Sequence, residues 1–201
     1  MQQDAARVVV TGPVGAGKSS FLSYFADHLR RLEPECTVVR CFVGADTKTS
    51  RLTGVLKELA TQLGIEESEE SSQQDLATLL ARIPSSMGPA VVIIDGADQL
   101  IGDDGVTGTW LPDYVPNNVR LLISTSRPQM VDRLVAVGWK SVSVPPLDVA
   151  EREALAVRYL SQYRKSLSPA QLRKLSNNAN SQSPLYLCTL LEEFRLVGTF
   201  E

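Results

Sequence analysis

The segment Gly12-Pro13-Val14-Gly15-Ala16-Gly17-Lys18-Ser19 constrains this chain more than any other. Before it, Arg7-Val8-Val9-Val10-Thr11 reads as a short buried strand. After it, the spacing of apolar residues predicts a helix over 18–32. A strand that turns into a helix through closely spaced glycines leaves the N–H groups of the turn and of the first helical residues converging on one point. Such a point attracts an anion. Gly12, Gly15 and Gly17 let the main chain curl around that anion with no Cβ in the way. In this context G-x-x-x-x-G-K-[ST] is a phosphate-binding loop. Lys18 is expected to reach the β- and γ-phosphates, and the Ser19 hydroxyl to sit on Mg²⁺, with Ser20 completing the nucleotide-binding set.

The remaining chain supplies what such a loop needs. Residues 36–43 are rich in β-branched and aromatic side chains and read as a second strand. The first helix is expected to bury Phe21, Leu22, Phe25, Leu29 and Leu32. A second amphipathic helix carries Leu52, Val55, Leu56, Leu59 and Leu63, with Gly64 as its stop. Residues 66–74 are acidic, Ser-rich and aperiodic, a solvated loop or the polar start of a short helix through Leu76, Leu79, Leu80 and Ile83. Ala90-Val91-Val92-Ile93-Ile94-Asp95 is an apolar run ending on a carboxylate, the pattern of a central parallel strand buried on both faces. Residues 102–108 read as a flexible loop, 119–124 and 139–144 as strands, and 128–137 as a short helix. Strands alternating with helices argue for an α/β fold, a three-layer αβα sandwich around a parallel sheet. Ligands of such sheets bind beyond the carboxyl ends of the strands, so Thr11, Asp95 and the Ser124-Thr125-Ser126-Arg127 segment are expected around one crevice.

Beyond Val144-Pro145-Pro146-Leu147 the pattern becomes all-helical. Asp148-Val149-Ala150-Glu151 and Ser168-Pro169-Ala170-Gln171 are capping boxes. Ser183-Pro184 sets a capping residue before a proline at the first helical position. The helices carry Leu155, Tyr159, Leu160 and Tyr163, then Leu172 and Leu175, then Leu187, Leu190, Leu191 and Phe194. The expected organisation is a nucleotide-binding core over residues 1–146 and a small helical lid over 147–201.

Composition excludes several alternatives. A net charge of -3 without Lys/Arg runs gives no footprint for a nucleic acid or an acidic membrane surface. No apolar stretch approaches the roughly 20 residues of a membrane span. Cys36, Cys41 and Cys188 are odd in number, and the first two sit at opposite ends and faces of one strand, so a reducing, cytoplasmic setting is expected.

Four positions carry candidate chemistry. Asp95 has the Walker B arrangement, a carboxylate on the strand next to the phosphate-loop strand, suited to Mg²⁺ directly or through water; otherwise it caps the next element. Asp98 is either a carboxylate that polarises an attacking water or a loop aspartate bonded to backbone amides. Arg127 is either an arginine that senses the γ-phosphate or a solvent-facing partner of a loop acid. Pro184 is a good first helical residue that can also rest on a nucleotide base. His28 reads as a surface or partly buried side chain, and Trp110 and Trp139 as packing residues.

Taken with Val91 to Asp98, Leu121 to Arg127 and Ser183-Pro184-Leu185-Tyr186-Leu187, the loop resembles the NACHT branch of the signal-transduction ATPases with numerous domains (STAND). The stretch around Leu111-Pro112 and Asn118-Val119-Arg120-Leu121, with the tail Leu190 to Arg195, is most similar to NACHT domains of the nephrocystin and telomerase-associated type. The resemblance implies a nucleotide-operated switch that holds ADP when closed, exchanges it for ATP, self-associates or rearranges against neighbouring domains, and resets by slow hydrolysis. It assigns Lys18, Ser19 and Asp95 to phosphate and Mg²⁺, Asp98 to hydrolysis, Arg127 to sensing and Pro184 to the base. Gln99 departs from the acidic residue common in that family, which implies weak hydrolysis. The short run before the first strand and the stop after the last helix suggest an excised domain or a minimal relative.

Three functions compete at this stage. One is an ATPase switch module. Another is a non-hydrolysing, nucleotide-bound interaction module. The third is a small-molecule kinase on the same core, for which the region after Val144 offers few of the loop arginines that a phosphoryl-transfer lid requires.

Overall fold

The computed structural model describes residues 6–66, 75–102 and 104–197. The contacts divide the chain into two compact units. One ends at Gly12 and resumes over Lys18–Ser143; the other joins the Pro13–Gly17 turn to the chain from Val144. The residues expected to form a polar loop at 67–74 lie outside the described residues.

The first unit is a five-stranded, all-parallel sheet in the order β2-β3-β4-β1-β5, built from β1 (Arg7–Thr11), β2 (Thr37–Phe42), β3 (Ala90–Asp95), β4 (Val119–Thr125) and β5 (Lys140–Ser143). Its helices are α1 (Lys18–Leu32), α2 (Leu52–Leu63), α3 (Leu76–Ala81), α4 (Asp104–Thr107) and α5 (Pro128–Ala136). The expected α/β fold with a parallel sheet is the one observed. One detail differs: β3 does not neighbour the phosphate-loop strand, because β4 is inserted between β1 and β3. The end of β4 therefore stands between the end of β1 and Asp95.

Strand order also decides what each sheet face buries. The β1-to-β2 connection runs across the sheet in one direction, and the later connections run in the other. Right-handed crossovers then leave α1 as the one helix of this unit, among the described residues, on one face. The opposite face is dense: Val9, Val39, Cys41, Val92, Ile94, Leu121 and Ile123 pack on Leu59, Leu79, Leu80, Met130 and Leu134. On the α1 face, Leu22 and Ala26 are buried, whereas Phe21 and Leu32 are exposed, contrary to the expected stripe. A groove of about 810 Å³ lies there, lined by Phe21, Phe25, Leu29, Val8, Leu122 and Val142. A single helix cannot cover a face of five strands. Residues 102–108, expected as a loop, contain α4, and Trp110 Nε1 donates to the Asp104 carbonyl at its start.

The second unit holds α6 (Val149–Ser161), α7 (Pro169–Ser176) and α8 (Pro184–Val197). Both expected capping boxes form, at Asp148 with Glu151 and at Ser168 with Gln171. Ala156, Leu160, Leu175, Leu187 and Leu191 make its core, with Leu155, Tyr159, Leu172 and Leu190 partly buried around it. Tyr163 and Phe194, expected in that core, are exposed. Buried Arg152 is satisfied by main chain, donating to the carbonyls of Leu147 and Ser176 at 2.8 and 2.6 Å.

Candidate functional site

The alternation of a strand sends every second side chain to the same face. In β3, Val91 and Ile93 lie on the α1 side, so Asp95 does too; in β4, Leu122 leads to Ser124 in the same way. Asp95 and Ser124 meet at the carboxyl edge of the sheet: the Ser124 hydroxyl donates to Asp95 Oδ1, and Ser124 Oγ accepts the Gly96 N–H at 2.8 Å. Asp95 is 6% exposed and Ser124 is fully buried. Beyond the strand, Asp98 Oδ2 accepts both the Ser126 hydroxyl and the Ser126 N–H, the latter at 3.2 Å. The two carboxylates are thus each tied to a serine of the β4 end. The sequence placed both serines at this crevice but gave neither a role, although a Ser-Thr-Ser alternation where an apolar strand turns polar is a visible signal.

The parallel pairing sets Thr11 opposite Thr125, and Ile94 opposite Ile123. The phosphate-loop strand therefore lies two strand spacings, about 10 Å, from the strand of Asp95. Lys18 opens α1 and its ammonium donates to the Gly12 carbonyl at 2.8 Å. Ser19 and Ser20 follow in the exposed first turn of α1. Arg127 is exposed, its N–H donating to Thr125 Oγ1 at 3.1 Å, and its guanidinium forms no ion pair with a described residue. Asp98, in contrast, carries the backbone contact of a loop aspartate while keeping its place beside β4.

The turn itself has the backbone that its sequence requires. Gly15 and Gly17 have φ of +79° and +92°, values that L side chains rarely adopt. Val14 is exposed at the crown, beside exposed Pro13, and Ala16 is buried, its N–H bonded to the Pro13 carbonyl. The Gly15 carbonyl accepts the Leu185 N–H at 3.2 Å and the Ser183 hydroxyl at 3.4 Å. A Cβ at Gly17 would stand 3.8 Å from Pro184 Cγ. Pro184 therefore borders the turn from the start of α8.

Cation chemistry fits these side chains. Among the described residues no three His, Cys, Asp or Glu groups gather into an all-protein metal cage. Mg²⁺ does not require one, since it keeps several waters and takes one or two carboxylates together with substrate phosphates. One buried carboxylate at Asp95 and one hydroxyl at Ser19 match that donor set. Gln99 is exposed, with its amide lying against Gly44 and Gly96 at the ends of β2 and β3: a Cβ on either would come within about 3 Å of it.

Comparisons with known proteins bear on the fold and the family. A TPR repeat-containing protein of Dictyostelium discoideum is 24% identical over 240 aligned positions, covering 96% of this chain and 14% of that protein. Human nephrocystin-3 is 26% identical over 188 positions, covering 87% of this chain and 14% of that protein. The chain thus spans about one seventh of the length of these curated relatives. Among solved structures, a Walker-type ATPase of Pyrococcus abyssi superposes with a TM-score of 0.69 at 14% identity, covering 98% of this chain and 65% of that one, a likeness of fold. No helix among the described residues is long and apolar enough to cross a membrane. A family model described as an AAA domain matches residues 2–133, the stretch holding the phosphate loop, Asp95, Asp98 and the β4 end. With that match added to the loop and sheet described above, the chain belongs to the AAA domain family of P-loop ATPases.

Proposed function

We propose that this chain is an ATP-binding, slowly hydrolysing module of the NACHT/STAND kind, a nucleotide-dependent switch for signalling or assembly. The observation that carries the reading is the pairing of two carboxylates with two serines, Asp95 with Ser124 and Asp98 with Ser126, at the sheet edge that also bears Lys18. The N–H groups of residues 12–19 bind the phosphates and the Lys18 ammonium follows the β- and γ-oxygens. Mg²⁺, when held by Asp95 and Ser19, supplies neutralisation of charge on those oxygens. Asp98 holds and polarises the attacking water. Arg127, exposed and in no ion pair with a described residue, is the cation for the γ-phosphate. Pro184, bordering the turn, contacts the base of the adenine nucleotide. The domain division of core and helical lid, near residue 146, belongs to the same reading, as do partners found in self-association or in further domains of a longer protein. The similarity to TPR-containing proteins and to nephrocystin-3 supports it.

A second reading has one observation in its favour: Gln99 stands directly after Asp98, and its amide covers Gly44 and Gly96 where an acid would add a second carboxylate. A module so built retains nucleotide without turnover. One experiment separates the two. The purified chain is incubated with ATP and Mg²⁺, and both the retained nucleotide and released phosphate are measured, for the wild type and for Asp98→Asn. The switch reading expects retained ADP, slow phosphate release, and turnover lost in the variant with binding kept. Intact ATP after prolonged incubation supports the second reading, and unchanged turnover in Asp98→Asn removes Asp98 from the mechanism.

A further inference from the structure

Ser124 is a polar side chain with no exposed surface, next to equally buried Thr125 at the end of a strand whose earlier buried positions, Val119, Leu121 and Ile123, are apolar. A buried hydroxyl costs stability unless its hydrogen bonds are made, and a buried carboxylate costs more. Ser124 answers both. Its oxygen accepts the Gly96 N–H at 2.8 Å. With that lone pair engaged, its proton goes to Asp95 Oδ1, since an ionised carboxylate only accepts. The hydroxyl rotor is thereby fixed by a backbone amide. The hydrogen bond that Asp95 accepts from a described side chain is made at Oδ1, and the residue is 6% exposed.

We propose that Ser124 is a positioning residue for the cation: it commits one oxygen of Asp95 to the protein and leaves the other for Mg²⁺. The proposal rests on the nucleotide-binding reading given above. Groups that orient a metal ligand typically govern metal affinity by about 10- to 100-fold, without touching the metal.

The test uses the whole chain and a fluorescent N-methylanthraniloyl-ADP probe. Nucleotide is bound at fixed concentration and MgCl₂ is titrated, giving the half-saturating Mg²⁺ concentration; nucleotide affinity in EDTA is measured in parallel. Ser124→Ala is expected to raise the Mg²⁺ midpoint about 10-fold or more, with affinity in EDTA within twofold of wild type. Ser124→Thr keeps the donor and is expected to restore the wild-type midpoint. In an Asp95→Ala background, Ser124→Ala is expected to have no further effect on the midpoint, because the carboxylate it orients is gone. Should Ser124→Ala fail to fold, Ser124→Cys, a weaker donor of similar size, is expected to give an intermediate shift. A wild-type midpoint in the folded Ala or Cys variant overturns the proposal, as does the same shift in the Asp95→Ala background. Absence of probe binding by the wild type both with Mg²⁺ and in EDTA overturns the nucleotide reading, and the proposal with it; probe binding that does not respond to Mg²⁺ overturns the proposal alone.

Discussion

Alanine at Gly15 tests how tightly the phosphate turn is packed. Gly15 has φ +79°, and an L residue held in that left-handed region costs about 1–2 kcal/mol. The new methyl would also stand 2.9 Å from Leu185 Cβ and 3.0 Å from Ser183 Oγ. Leu185 Cβ is fixed to the first turn of α8 and cannot swing aside as a side-chain tip would. Overpacking of this kind costs a further 1–3 kcal/mol, roughly. The expected total of about 2–5 kcal/mol is a large part of the roughly 5–15 kcal/mol of a typical domain. Gly64 supplies the internal control: its φ is +66°, but nothing lies within 4 Å of an added Cβ. Gly64→Ala should therefore lose only the backbone share, about 1–2 kcal/mol. Urea unfolding followed by circular dichroism, with each variant beside the wild type, measures both losses. Gly15→Ala is expected to be the more damaging by about 1–3 kcal/mol, and its nucleotide affinity should fall as well. Equal losses at the two positions would refute the close packing of the turn on the start of α8.

Two further outcomes follow from titratable groups. Glu192 pairs with Arg195, its first stabilising partner, and accepts the Tyr159 hydroxyl; these two hold its carboxyl down to about 2, while the bond to Glu192, with burial and the Glu192 charge adding to it, pushes the Tyr159 hydroxyl up to about 12. Because the folded value lies below the ordinary carboxylate range, its stabilisation is present at neutral pH and is lost as pH falls from about 4.5 toward 2. Melting temperatures of wild type and Glu192→Gln should differ at pH 7 and converge near pH 2; a constant gap would contradict the pairing. Cys41 is 2% exposed, and burial above all, with Glu58 and Asp46 adding to it, pushes its thiol up to about 12. Iodoacetamide at pH 8 should label Cys188, which is less enclosed, well ahead of Cys41. Labelling of native Cys41 at the rate of a free thiol would show that β2 is not enclosed as described.

Local chemistry made much of this fold readable in advance. The run from Ala90 to Ile94 could be a central strand only, and the capping boxes at Asp148 and Ser168 marked where helices begin because their partners stand three residues away. The placement of Lys18 at a helix start and of Asp95 at a strand end was legible for a similar reason, since each follows from the local pattern. What resisted reading depends on distant pairing. Nothing local to β4 says that it inserts between β1 and β3, so Asp95 was expected one strand too close to the loop. Phe21 and Leu32 look like core residues on the helical wheel; only the sheet order shows that α1 covers its face alone. Ser124 and Ser126 acquire their roles from carboxylates more than twenty residues earlier, a relation that a strand pattern does not record.

One titration reaches the centre of this account: magnesium with ADP, and separately with a non-hydrolysable ATP analogue, into the folded wild-type chain and into Lys18→Ala, read by calorimetry. Saturable one-to-one binding by the wild type, abolished in the variant whose circular dichroism is unchanged, is the expected result. No saturable binding by the folded wild type, or equal binding by Lys18→Ala, would contradict a nucleotide site built on the Gly12-to-Ser19 loop.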